Sequence, residues 1–120
     1  MAVIKKGVFI TFSVRTDKLD SDSERTKFFK TLYGWEQVVP KGNKEYVYHR
    51  EGILEKVPHE KVNQSSFVVP ENGLDEIFQF FQEWSNKVMM RTFKVFLDEE
   101  MQKHFREFVT EDEEEEEEEI

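Results

Sequence analysis

The spacing of apolar residues changes several times along this chain, and those changes restrict the folds it can adopt. Between Val8 and Val14 every second side chain is apolar, which is the pattern of a strand with one buried face. From residue 22 to residue 33 the apolar spacing becomes three and four residues, as on one side of a helix. The chain therefore begins with a strand followed by an amphipathic helix.

The limits of this first helix are marked by local signals. Ser21 and Glu24 have the spacing of a capping box, in which each side chain accepts a hydrogen bond from a backbone N–H of the first turn. Gly34 fits the left-handed position that commonly ends a helix. We predict a helix over 22–33. The basic residues expected to face water are Arg25, Lys27 and Lys30.

Shorter patterns follow the first helix. Residues 35–39 are expected to be extended, 40–43 to form a turn, and 46–50 and 65–69 to be strands. Residues 53–57 fit either a short strand or a single helical turn. Asn72 is placed to cap a second helix whose apolar stripe runs from Leu74 to Trp84. A strand over 89–97 and a final helix from about Asp98 complete the pattern.

This order of elements predicts an α+β fold, a ferredoxin-like βαββαβ sandwich with an additional C-terminal helix. The chain length allows one hydrophobic core, so we expect a single domain over residues 1–110. Residues 111–119 are all acidic, and such a block repels itself and buries nothing. Residues 111–120 are therefore predicted to be a disordered polyglutamate tail.

The net charge of −9 lies entirely in that tail, since the remaining residues hold 17 basic and 17 acidic side chains. The N-terminal half of the body is mildly basic. A candidate nucleic-acid surface combines its basic residues with tyrosines on a predicted strand, and the alternative is an ordinary lysine-rich exterior. The candidate residues are Arg15, Lys18, Arg25, Tyr46, Tyr48 and Arg50.

A protein contact is suggested by the second helix. Phe80 lies at the flank of its apolar stripe and widens it beyond what one sheet face usually covers. We therefore expect Ile77, Phe80 and Trp84 to form a partner-binding face. A homodimer is the simplest arrangement, because small sheets often cover apolar faces with a second copy of themselves.

Metal-binding candidates are few. The absence of cysteine excludes thiolate chemistry and cysteine zinc sites, and the three histidines lack ligand spacing. Asp17 and Asp20 stand in the loop after the first strand, where they could hold Mg²⁺ or Mn²⁺. Loop solvation is the alternative role for both carboxylates, and we expect no cofactor.

Two segments resemble a known family. Residues 24–35, a basic helix that ends in a glycine followed by an aromatic residue, and residues 64–67, Gln-Ser-Ser-Phe, are similar to elements of the small CRISPR-associated adaptation proteins. Relatives of that family include the VapD toxins and the C-terminal part of PaaX-type regulators. The resemblance follows the order of elements over residues 8–97 and implies a ferredoxin-like fold and a homodimer.

The family's nucleases carry a metal-binding aspartate at the end of the first strand. Ser13 stands at that place here, and a neutral hydroxyl cannot replace a carboxylate as a divalent-metal ligand. An insertion from about Pro40 to Val62 also separates the two similar segments. The resemblance therefore implies that the fold and the dimer are retained and that the nuclease site is absent.

The first functional hypothesis is a non-enzymatic, dimeric binding protein that contacts nucleic acid or a protein partner. The alternatives are a metal-dependent nuclease of the family described above, and an accessory or inhibitory protein that docks on a basic partner through its acidic tail. The sequence has no apolar run of membrane-spanning length and no pattern of a signal peptide, so we expect a cytoplasmic protein.

Overall fold

The computed structural model describes residues 6–108, which form an α+β fold with three α-helices and six strands, all paired antiparallel. The predicted acidic tail lies outside the described residues. No helix in this range is both long and apolar enough to cross a membrane. The elements are β1 (Lys6–Val14), α1 (Asp22–Tyr33), β2 (Trp35–Lys41), β3 (Lys44–Arg50), β4 (Glu60–Asn63), β5 (Ser66–Pro70), α2 (Asp75–Glu83), β6 (Val88–Phe96) and α3 (Glu99–Phe108).

Four of the strands form the main sheet in the order β4-β5-β1-β6. Strand β1 is central and pairs with β5 on one side and β6 on the other. Ile10, for example, lies opposite both Phe67 and Thr92. The alternation predicted for the first strand is confirmed, since Val8 and Ile10 are buried on one face and Ser13 is exposed on the other.

Helices α1 and α2 cover the same face of this sheet. Phe28 of α1 and Phe80 of α2 stack with their ring centroids 5.2 Å apart, and Phe12 of β1 contacts Phe28 edge-on at 5.5 Å. These rings belong to one cluster of buried side chains. The excess of phenylalanine in the sequence thus supplies five of the twelve buried side chains in this cluster.

Helix α3 packs on the opposite face and forms a smaller cluster, in which Phe105 is fully buried beside Val68 and Leu97. Its start is fixed by Asp98, whose Oδ1 accepts a 2.8 Å hydrogen bond from the backbone N–H of Met101. The predicted start of the final helix near Asp98 is confirmed. The two faces of the sheet are therefore covered unequally.

Helix α1 has the predicted bounds. Ser21 Oγ accepts a hydrogen bond from Glu24 N at 3.3 Å, as expected for the cap. The Glu24 carboxylate does not return to Ser21. It accepts from Asp20 N at 3.2 Å and from Lys87 Nζ at 2.6 Å, and the hydrogen bond from Lys87 lowers the pKa of Glu24.

The segment after α1 forms a separate two-stranded sheet, β2–β3, which we call the ribbon. Residues 46–50 were predicted as a strand and are one, but they pair with β2 and not with the main sheet. The turn contains Gly42 and Asn43, and Gly42 has a φ of 62°. Glycine with positive φ at the first of two loop residues is what a type II′ hairpin turn requires.

The ribbon joins the body where two glycines meet. Gly34 ends α1 with a φ of 87°, and a Cβ there would lie 2.8 Å from the Arg50 carbonyl oxygen. A Cβ on Gly52 would overlap the backbone of Tyr33 and Gly34 and lie 2.6 Å from the Leu32 carbonyl oxygen. The chain can leave α1 and return beside it only because both residues lack side chains.

Two local predictions differ from the structure. Asn72 does not cap the second helix, because residues 70–73 form a turn in which Gly73 N donates to Pro70 O at 3.3 Å, and Leu74 is the residue before the helix. Strand β4 was not predicted, because its side chains are mostly exposed and show no apolar alternation.

Residues 53–56 form a single 3-10 turn, which is the second of the two alternatives for that segment.

Candidate functional site

The antiparallel register of the ribbon places directly opposite residues on the same face. One face, which we call the ribbon face, combines aromatic and basic side chains. The opposite face carries Glu36, Glu45 and His49. The members of the ribbon face are Trp35, Gln37, Val39, Lys41, Lys44, Tyr46, Tyr48 and Arg50.

Cations lie against the rings of this face. Lys41 Nζ is 5.7 Å from the centre of the Tyr46 ring, and the Arg50 guanidinium carbon is 5.5 Å from the centre of Tyr48. Lys30 of α1 places its Nζ 4.0 Å from the centre of the Trp35 indole. These separations are within the range of cation–π attraction, and the Lys30 contact links the ribbon face to α1.

The same arrangement continues along α1. The Arg25 guanidinium lies 5.1 Å from the Phe29 ring centre, and Lys61 Nζ of β4 lies 4.2 Å from the Tyr33 ring centre. The Tyr33 hydroxyl donates a 2.6 Å hydrogen bond to Gln64 O, and burial raises its pKa to about 12. All five cation–π pairs between described residues therefore occur on α1, β4 and the ribbon.

Two cavities lie on either side of Thr26 and Lys30, which line both. The larger, about 790 Å³, is bounded by α1, Trp35 and the 3-10 turn that contains Ile53 and Lys56. The smaller, about 410 Å³, is bounded by α1, Lys61 and Gln64. We call the two together the α1 groove.

Most cations of this region have no carboxylate partner among residues 6–108. Within residues 6–108, Lys56 is bound to Glu76 at 3.1 Å, but the other cations around the groove and on the ribbon face form no salt bridge. These cations are Arg25, Lys27, Lys30, Lys41, Lys44, Arg50 and Lys61.

The opposite face of the ribbon is clamped to the body by His49. Its Nδ1 lies 2.8 Å from Glu36 Oε1 and its Nε2 lies 2.7 Å from Glu55 Oε2. The two hydrogen bonds, first from Glu55 and then from Glu36, raise the pKa of His49 above its ordinary value of 6.5. The protonated ring can donate to both carboxylates at once and so ties β2 and β3 to the 3-10 turn.

This clamp predicts a pH-dependent contribution to stability. Because the pKa of His49 is raised by folding, its contribution is complete below pH 6.5 and is lost as the pH rises through the folded-state pKa. The wild-type chain should melt at a higher temperature than a His49→Gln variant at about pH 5.5, and the difference should disappear at about pH 9. Melting curves of both proteins at a series of pH values measure this. A difference that stays constant with pH would contradict the assignment.

The structure brings together only part of the predicted nucleic-acid set. Tyr46, Tyr48 and Arg50 share the ribbon face, and Arg25 lines the α1 groove. Arg15 and Lys18 precede α1, whereas the ribbon follows it. A helix of 12 residues, about 18 Å long, lies between the two groups along the chain, so Arg15 and Lys18 belong neither to the ribbon face nor to the α1 groove.

The predicted metal carboxylates are not gathered into a site. Asp17 lies in a short 3-10 turn, and Asp20 Oδ2 is 3.6 Å from Lys87 Nζ. Among residues 6–108 no three histidine or acidic side chains are grouped as metal ligands. The Glu24 carboxylate accepts a hydrogen bond from the backbone N–H of Asp20, but it is already bound to Lys87.

The predicted partner face on α2 requires correction. Ile77 and Phe80 are buried, and Trp84 is half-buried with its ring 5.2 Å from Phe28. Helix α1 covers the flank on which Phe80 lies. The exposed aromatic residue of α2 is Phe78, on the flank that faces β6, so Ile77, Phe80 and Trp84 do not offer a surface to a partner.

Several residues of the surface were not among the predicted site residues. Phe29 lies four residues after the predicted Arg25 on one helix, so their contact could have been inferred from spacing. The contacts of Lys30 with Trp35 and of Lys61 with Tyr33 depend on how the chain turns after α1 and on where β4 lies. No local sequence signal indicates them.

Comparisons with known proteins give no assignment. No protein-family model, no curated protein and no solved structure matches the chain. The similarity to the CRISPR-associated adaptation proteins therefore stays a prediction based on the two short segments.

Proposed function

We propose that this protein is a non-enzymatic binding module for single-stranded nucleic acid, which it holds along the ribbon face and the α1 groove. The observation that carries the proposal is the repeated pairing of an aromatic ring with a cation that has no carboxylate partner among the described residues. Such a pair offers a stacking surface for a base beside a positive charge for the neighbouring phosphate.

The chemistry of the surface favours a nucleic-acid ligand over a protein. Phosphate contacts come mainly from lysine and arginine, and stacking on tyrosine or tryptophan tolerates every base. Tyr46 and Tyr48 are both about 40% exposed, so their rings can be reached. Stacking on a protein ring requires bases that are free of a duplex, which favours a single strand.

The architecture supports a further proposal about the fold. We infer that the main sheet with α1 and α2 is a ferredoxin-like core in which the ribbon is an insertion between the first helix and the second core strand. The antiparallel order β4-β5-β1-β6 and the location of both helices on one face support it. In a fold of this kind, the binding surface is built largely from the inserted ribbon and from α1, the helix before it.

A charge-reversal experiment tests the function. Affinity for labelled oligouridylate and oligothymidylate is measured by fluorescence anisotropy at several salt concentrations. If four to six cations contact phosphates, the logarithm of the association constant should fall with the logarithm of salt with a slope of about −3 to −4. A Lys41→Glu, Lys44→Glu double variant should bind at least about 10-fold more weakly and show a shallower slope.

The matched control is a Lys18→Glu, Arg106→Glu double variant, which changes the net charge equally but lies away from the ribbon. Lys18 precedes α1 and Arg106 is on α3 across the sheet. The control should keep most of the affinity. Absence of binding by the wild-type protein at low salt, or equal loss in both variants, would refute the proposed surface.

A further inference from the structure

Within residues 6–108, the outer edge of β6 has no strand beside it. Among the described residues β6 pairs only with β1, over all nine of its residues. The edge at the other side of the sheet is the short strand β4. A long edge with unpaired N–H and C=O groups is a template for another strand.

The direction of the free backbone groups follows from the β1–β6 ladder. Arg15 N donates to Lys87 O at 2.8 Å, in the same register as the ladder that follows. Hydrogen-bonded and non-bonded pairs alternate in an antiparallel ladder, so the odd-numbered residues of β6 bond to β1. The even-numbered residues from Met90 to Phe96 direct their N–H and C=O groups to the open edge, whereas the Val88 N–H is donated to Trp84 O at 2.9 Å.

Exposed apolar side chains accompany this edge. Phe96 is 85% exposed, Phe93 51%, Met89 44%, and Phe78 of α2 38%. The three phenylalanines alone offer roughly 300–400 Å² of apolar surface, which approaches half of the about 800 Å² that each partner contributes to a stable interface. A groove of about 400 Å³ between α2 and β6 is lined by Phe78, Val88 and other residues of both elements.

We propose that a second copy of this chain occupies the edge, with the two β6 strands antiparallel about a twofold axis at Thr92. This register pairs even-numbered residues of one copy with even-numbered residues of the other, so their free backbone groups meet. Phe96 of each copy then lies opposite Val88 of the other, next to the groove that Val88 lines. Two four-stranded sheets become one continuous sheet of eight strands.

The charges on β6 favour this register over its neighbours. An axis at Arg91 would place the two arginines directly opposite each other, which is destabilising. An axis at Phe93 would leave Val88 and Met89 without partners. With the axis at Thr92, Arg91 lies opposite Phe93, where a cation and a ring attract each other, and Lys94 lies opposite Met90.

A proline variant tests the edge without disturbing the ladder. The N–H of Thr92 points away from β1, so Thr92→Pro removes no hydrogen bond of the main sheet, yet its ring blocks an incoming strand. By sedimentation equilibrium the wild-type protein should have twice the 14.5 kDa chain mass. The Thr92→Pro variant should dissociate with an affinity about 100-fold weaker, whereas Thr92→Ala should remain dimeric.

The register has an independent test, because the chain contains no cysteine. A Thr92→Cys variant places two Cα atoms about 5.5 Å apart across the axis, within disulfide range, whereas two Lys94→Cys residues would be more than about 10 Å apart. Only the first should cross-link on mild oxidation. A monomeric wild-type protein, or a dimer that Thr92→Pro and Phe96→Asp both leave intact, would overturn the proposal.

Discussion

A Gly52→Ala variant should lose about 3 kcal/mol of unfolding free energy, the largest effect expected of any single substitution considered in this protein. The added Cβ would overlap the backbone between Tyr33 and Gly34 and approach the Leu32 carbonyl oxygen. These obstacles are main-chain atoms at the end of α1, which cannot rotate away as a side chain could. The ribbon and the helix must therefore move apart.

The comparison with Gly73→Ala isolates this effect. A Cβ on Gly73 would meet only Val57, at 3.6 Å, and the φ of Gly73 is not positive. Chemical denaturation should therefore give Gly73→Ala a free energy of unfolding within about 0.5 kcal/mol of the wild-type value. If both variants unfold at the same denaturant concentration, the close approach of the ribbon to α1 is not present in solution.

A Tyr46→Ala, Tyr48→Ala double variant should bind single-stranded nucleic acid about 100-fold more weakly, since stacking of a base on an aromatic side chain contributes about 1–3 kcal/mol. Both rings lie on the ribbon face beside Lys41 and Arg50. The loss should persist at high salt, because stacking is not screened as phosphate contacts are. Anisotropy titrations at two salt concentrations measure it.

The opposite face of the ribbon supplies the control. Val38 and Val47 are paired with each other and are both more than half exposed, so a Val38→Ala, Val47→Ala variant removes a similar number of exposed side chains from the same two strands. It should bind with nearly wild-type affinity. A loss as large as that of the tyrosine variant would indicate that the ribbon has unfolded and that the rings themselves do not bind.

The sequence predicted those elements whose signals are local. Helix α1 has its predicted bounds because Ser21 and Gly34 specify its two ends through their own backbone geometry. Strand β1 is predictable because Val8, Ile10 and Phe12, which alternate along one face, are all buried. In each case the residue pattern and the tertiary environment lead to the same structure.

The elements that were misassigned depend on contacts distant in sequence. Strands β2 and β3 have the composition of sheet strands, and nothing local indicates that they pair only with each other. Phe80 and Phe78 both lie at flanks of the stripe on α2, and only the position of α1 determines that Phe80 is covered and Phe78 exposed. The predicted partner face was therefore placed on a flank that α1 covers.

The sequence predicted which kinds of residue form the candidate site better than it predicted where they lie in the fold. Tyr46, Tyr48 and Arg50 alternate along one strand, so their common face follows from sequence. Lys30 and Lys61 join this surface only because the chain turns at Gly34 and β4 lies beside α1. The sequence therefore indicated the chemistry of the surface, and the fold determines which of the basic residues belong to it.

The most direct test of the proposed binding surface is a titration of the isotopically labelled protein with oligouridylate, followed by amide chemical shifts in two-dimensional NMR spectra. Binding as proposed should shift the resonances of the ribbon, of the exposed side of α1 and of Lys61, and should leave those of α3 unchanged. Shifts confined to the α3 side of the sheet, or none at all at low salt, would contradict it.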